Sequence, residues 1–118
     1  MRFEELKRLS AFQAMGDEEE AEQLSPHLER YINEGYERLA SLTGLQPEAL
    51  RLAEDEPILP EWMHAAIADF ATWLLLRNGN PQRQARGMQY RAAYEETIAR
   101  LMREGKLQGK QKNFTGIW

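Results

Sequence analysis

Few residues of this 118-residue chain have types suited to chemistry: two histidines, one acid inside an apolar stretch, and a series of arginines. His27 and His64 could each serve as a metal ligand or a general base. Neither has a second histidine or an acid at the HExxH spacing that puts ligands on one helix face, and a packed or solvent-facing imidazole accounts for each. Asp69 lies among apolar residues, where burial could poise a carboxylic acid. A buried ion pair accounts for it as well, with Arg77 or Arg91 the expected neutralising partner. The acidic run Asp17, Glu18, Glu19, Glu20 lacks the alternation and the glycine of a calcium loop. No glycine-rich phosphate loop and no serine elbow occurs. The expectation is a protein without catalytic machinery, metal or cofactor.

The arginines suggest a different chemistry. Arg83, Arg86, Arg91, Arg100 and Arg103 fall within one predicted helix, interleaved with Tyr90 and Tyr94, and Lys106, Lys110 and Lys112 follow. Such a set can meet nucleic-acid phosphates without reading sequence. An isoelectric point near 5.3 opposes free-standing binding, because the acidic remainder repels phosphate. In a ring, Arg83, Arg86 and Arg91 could still face a channel carrying DNA.

The charge is strongly divided. Residues 1–76 hold six Lys/Arg and sixteen Asp/Glu, whereas residues 77–118 hold nine Lys/Arg and three Glu, within a net charge of −4. Copies of such a chain can attract one another head to tail, and heterologous contacts close into rings when the rotation per subunit allows it. The interface candidates are Asp17, Glu18, Glu19 and Glu20 on one side and Arg100 and Arg103 on the other. Ordinary solvated helix faces are the plainer account.

The elements that must carry these residues read as all-α: a small helical domain over 1–104, with a long helix, a central apolar helical hairpin and an extended C-terminal tail. A length of 118 residues with 42% hydrophobic content suits one domain of modest core. There is no cysteine, hence no disulfide or thiolate metal site. The N-terminal residues lack a signal-peptide run. The longest nearly apolar stretch, 70–76, is too short to span a bilayer, so no membrane partner is expected.

A first helix is expected over 3–14 from Phe3, Leu6 and Leu9, broken at Met15-Gly16-Asp17. The second carries the stripe Leu24, Leu28, Tyr31, Gly35, Leu39, Leu42. It starts near Glu20, or at Pro26 if Ser25 and Pro26 form the cap and first turn. Gly44 is placed to end it in the left-handed conformation, with Leu45 folding back. Residues 46–52 read as a two-turn helix with Pro47 first, and 54–60 as an ordered crossing loop that buries Ile58 and Leu59. The third helix runs from Pro60 to about Arg77 and is apolar nearly all round, so it is central or covered by a partner. Asn78-Gly79-Asn80-Pro81 stops it, and Asn80 caps a fourth helix running to about Glu104 with Tyr90, Tyr94, Ile98 and Leu101 inward.

Residues 105–118 contain three lysines, three glycines at 105, 109 and 116, and no helical stripe, and they end in Phe114, Ile117 and Trp118. They read as a flexible basic arm whose large apolar side chains need a receiver.

In order, Phe3-Glu4-Glu5-Leu6-Lys7, the acidic turn, Tyr31-Ile32-Asn33-Glu34, Leu42-Thr43-Gly44, Leu59-Pro60-Glu61-Trp62-Met63 and Arg77-Asn78-Gly79-Asn80-Pro81 resemble the head–tail connector, or head-completion adaptor, family of tailed phages and prophages. The resemblance spans roughly residues 1–104. It implies a helical subunit that assembles as a ring of about a dozen copies beneath the portal. It also implies a place in the virion neck, with host cytoplasm before assembly, and docking to a neck or tail completion protein. Non-specific contact with packaged DNA is implied by the channel. By position, the portal-binding arm is the tail, with Lys110, Lys112, Phe114, Ile117 and Trp118. The alternative is a DNA-associated helical module serving packaging or regulation.

Overall fold

A computed structural model describes residues 1–15 and 25–104. These form helices α1 (Phe3–Met15), α2 (Ser25–Leu42), α3 (His64–Leu76) and α4 (Pro81–Arg103), with a 3-10 turn (Glu61–Met63) leading into α3. No strand occurs among the described residues. The expected all-α class is thus the observed one. The acidic run 17–20 and the arm 105–118 lie outside the described residues.

α3 is the centre. Ala66, Ile67, Ala68, Phe70, Ala71, Thr72, Leu74 and Leu76 are all buried, because a helix this apolar has no face to give to water. α1, α2 and α4 each pack on it. α1 contributes Phe3, Leu6 and Ala11; α2 contributes Leu28, Ile32, Tyr36, Leu39 and Ala40; α4 contributes Tyr94 and Leu101. Close approach is allowed by two glycines. A Cβ at Gly35 would stand 3.0 Å from the Phe70 ring, and one at Gly87 would stand 3.0 Å from Leu76 Cβ.

α2 begins at Ser25, so proline sits in its first turn, where its missing N–H costs nothing. It ends in a Schellman motif: Gly44 has φ 81°, its N–H donates to the Ser41 carbonyl, and the Leu45 N–H donates to the Ala40 carbonyl. The backbone of Leu45 turns back as expected, while its side chain stays 38% exposed. At the other turn, Asn80 Oδ1 accepts from the Arg83 N–H at 2.9 Å and Pro81 opens α4.

The structure corrects the reading of 46–52: no helix forms there. Its backbone groups are claimed by side chains instead. Asn33 Oδ1 accepts from the Leu50 N–H at 2.7 Å, and Asn33 Nδ2 donates to the Leu50 carbonyl at 3.0 Å. Asp55 Oδ2 accepts from the N–H groups of Leu52 (2.8 Å) and Arg51 (2.9 Å), which hold its carboxyl below the usual range. Tyr36 Oη accepts from the Ile58 N–H at 2.9 Å. Of the two apolar residues expected inside, Leu59 is buried but Ile58 is 60% exposed.

The same loop completes α1. The first amides of a helix lack internal partners. Here the Phe3 N–H donates to the Asp55 carbonyl at 2.7 Å and the Glu4 N–H to the Ala53 carbonyl at 3.1 Å. Glu5 Oε1 reaches back to the Arg2 N–H at 2.9 Å, half of a capping box.

Replacing Asn33 with Ala strands both backbone groups of Leu50, which is buried. The expected cost is about 1–3 kcal/mol in urea unfolding, with faster amide exchange at Leu50. An unchanged midpoint and exchange rate would show that the clamp contributes nothing.

Candidate functional site

α3 and α4 form the expected hairpin, and its register decides where the arginines go. Leu76 lies against Gly87, Phe70 against Tyr94, and Trp62 against Arg100, pairs nested about the Asn78–Asn80 turn as an antiparallel pair requires. Arg91 accordingly meets Trp73, its guanidinium carbon 5.0 Å from the ring centroid. Arg100 meets Trp62 at 3.8 Å. Both tryptophans are half-buried, and each guanidinium covers a ring face with its charge left in water.

The predicted basic residues do not share one face. At about 100° per residue, Arg83 points toward the packed side of α4, Arg86 and Arg100 lie on one flank, Arg91 on the other, and Arg103 at the back. Most are engaged within the chain. Arg91 pairs with Glu95 (2.9 Å), Arg100 with Glu104 (3.5 Å) and Arg103 with Glu96 (3.2 Å). Arg86 donates to the Gln13 carbonyl at 2.7 Å, tying α4 to the end of α1. Tyr94 is buried against Phe70 with ring centroids 5.0 Å apart, and burial raises its hydroxyl pKa. Tyr90 is half-buried.

The described residues hold one cleft where three helices meet. Arg38, Ser41 and Leu42 of α2 face Arg91, Tyr94, Glu95 and Ile98 of α4 across Phe70 and Trp73, enclosing about 460 Å³. Arg38 lies 5.3 Å from the Phe70 centroid and pairs with Glu34 at 3.5 Å. Two guanidiniums therefore stand over an aromatic floor, each with a carboxylate beside it. A carboxylate entering the cleft would have to displace Glu34 or Glu95 to reach either guanidinium. It contains no nucleophile–base pair. The sequence reading missed Arg38 and Trp73 as members of this cleft, and Trp62 as the partner of Arg100. For the two tryptophans the signal was the nesting of Trp and Arg positions about the hairpin turn.

The remaining titratable candidates have structural partners. His64 is buried: Nε2–H donates to the Leu59 carbonyl at 2.7 Å, leaving Nδ1 to accept from the Met1 ammonium at 2.7 Å. His27 is exposed and stacks on Tyr31. Asp69 is not met by Arg77 or Arg91, the partners expected from sequence. Gln13 Nε2 donates to it at 3.2 Å, because α1, not α4, covers that side of α3. Gln13 Oε1 in turn accepts from Thr72 Oγ1 at 2.6 Å, and Thr72 Oγ1 lies 2.9 Å from Ser10 Oγ. The result is a polar seam of Ser10, Thr72, Gln13 and Asp69 across the α1–α3 interface. Among the described residues no three His, Cys, Asp or Glu side chains cluster for a metal. No described helix is long and apolar enough to cross a membrane.

Large apolar side chains remain exposed on separate elements: Phe12 on α1 (65%), Leu52 and Ile58 on the 45–60 loop, and Met88 on α4. Phe12 borders a shallow surface with Leu9, Arg8 and Met1.

Burial raises the Asp69 pKa to about 6 from 3.8, with the Gln13 hydrogen bond opposing. The folded state thus resists ionisation more than the unfolded chain does. The stability that the neutral acid contributes is fully present below about pH 4 and is lost as pH rises through about 6. Asp69→Asn keeps an acceptor for Gln13 and removes the charge. Its stability relative to the parent should rise between pH 4 and pH 7, by about 1 kcal/mol after allowance for partial exposure. Parallel dependence of the two proteins in urea melts would refute this.

Compared with protein-family models, curated proteins and solved structures, the chain has no match in any of the three.

Proposed function

We propose that this protein is a structural adaptor, a head–tail connector subunit of a phage or prophage that assembles as a ring under the portal and joins capsid to tail. The observation that carries the reading is the spread of uncovered apolar side chains over separate elements, with Phe12, Ile58 and Met88 on three of them. A subunit inside a ring touches a neighbour on each side and a component above or below. It therefore needs several apolar patches rather than one concave site. The charge division between residues 1–76 and 77–118 supplies attraction between unlike ends of successive copies. The arm 105–118 binds the portal through Phe114, Ile117 and Trp118, with Lys110 and Lys112 on acidic ground. On this reading Arg83, Arg86 and Arg91 make non-specific contact with DNA in the channel, Arg86 and Arg91 giving up their Gln13 and Glu95 partners to do so.

Light scattering of the purified chain at low and high salt tests assembly. The expected species is a ring of about a dozen subunits whose population falls as salt rises to about 0.5 M, because screening shortens the reach of surface charge. Salt-independent assembly would assign the interface to apolar contacts alone. A monomer that binds DNA with salt-dependent affinity, and loses it on Arg83→Ala/Arg86→Ala, would replace the connector by a DNA-associated module.

Removing 105–118 should leave the far-ultraviolet helical signal of the core in place and abolish capture by portal. Retained capture would take the portal-binding role away from the arm.

A further inference from the structure

A second cavity, of about 440 Å³, lies at the opposite end of the α3–α4 hairpin from its turn. Its walls are apolar except for Thr43: Leu45 after α2, Leu59 and Pro60 of the loop, Trp62 and Met63 of the 3-10 turn, and Leu101 of α4. Leu45 and Pro60 are exposed at its rim and Trp62 is half-buried. α4 ends at Arg103, less than one turn beyond Leu101. The chain therefore leaves the helix at the edge of this groove, with 105–118 still to place.

We propose that the groove is the resting place of the chain's own arm, which seats Phe114, Ile117 or Trp118 against Leu45, Trp62 and Leu101. Three observations select this occupant. The arm starts at the rim, and the fourteen residues beyond Glu104 can extend to about 46 Å, ample to double back to Leu45. Tethering raises the local concentration of the anchors to the millimolar range, above that of any separate partner. Charge agrees: residues 1–104 hold twelve Lys/Arg and nineteen Asp/Glu, whereas 105–118 hold three lysines and no acid. The inference rests on reading 105–118 as a binding arm, and it adds that the arm is held back in the free subunit until a receiver competes for its anchors.

The absence of cysteine makes the test direct. Leu45→Cys combined with Gly116→Cys retains all three anchors, and Ala93→Cys with Gly116→Cys places the first thiol on an exposed face of α4 as control. Under mild oxidation of the full-length variants, the Leu45 pair should form an intramolecular disulfide at least tenfold faster than the control pair. Adding Trp118→Ala and Phe114→Ala should erase the difference. Equal rates for the two pairs would overturn the proposal. A disulfide-linked dimer as the main product would overturn it too, assigning the groove to the arm of another copy. Capture by portal is scored separately on the cysteine-free chain, so failure of either result leaves the other standing.

Discussion

The structure depends on one constraint: α3 has no polar face, so it must be covered on every side. Phe70 shows how this is met. It is 2% exposed, lies against Gly35 of α2 and Tyr94 of α4, and has Trp73 edge-on at 5.6 Å. Burying one such ring contributes about 1.5–3 kcal/mol. Glycine at 35 and 87 lets two helices come close enough to exclude water without longer side chains. Where the cover thins, at the Trp62 and Trp73 edges, Arg100 and Arg91 complete it with their side chains.

Covering an apolar helix leaves its occasional polar atoms to be satisfied internally. Thr72 and Ser10 are both fully buried, and they find each other and Gln13 across the α1–α3 contact. Thr72 also lies 2.8 Å from its own Ala68 carbonyl. No buried side-chain nitrogen or oxygen among the described residues lacks a partner. Asp69 is the exception in kind, since its hydrogen bond does not offset the loss of water. A group with a raised pKa is often taken as catalytic, but here the cause is the packing of α1, and no reacting pair stands near it.

The helices were legible because their signals are local. The Asn80–Pro81 start, the Gly44 stop and the inward Tyr94, Ile98 and Leu101 follow from spacing and turn chemistry alone. Residues 46–52 were misread because proline followed by Glu-Ala-Leu-Arg-Leu is good helix sequence. The competing partner, Asn33, lies far away along the chain. Asp69 was misassigned for the same reason: residue type suggested an arginine, whereas tertiary packing supplied a glutamine from α1. The arginines of α4 were found as a set but not as a geometry. Their separation onto different sides of the helix, and their pairing with Trp62, Trp73 and nearby glutamates, appear only once the hairpin register is fixed.

The exchange of hydrogen bonds between α1 and the 45–60 loop has a consequence for how the chain folds. The α3–α4 hairpin is built from neighbours in sequence and can form early. α1 cannot: its first amides have acceptors only when Ala53 and Asp55 are in place, and that loop is in place only when Asn33 and Tyr36 hold it to α2. Docking of α1 and ordering of the loop are therefore one cooperative event, closing a circuit of hydrogen bonds from Phe3 to Ile58. The hairpin is tied into the same circuit by the Gln13 hydrogen bonds to Asp69, Thr72 and Arg86.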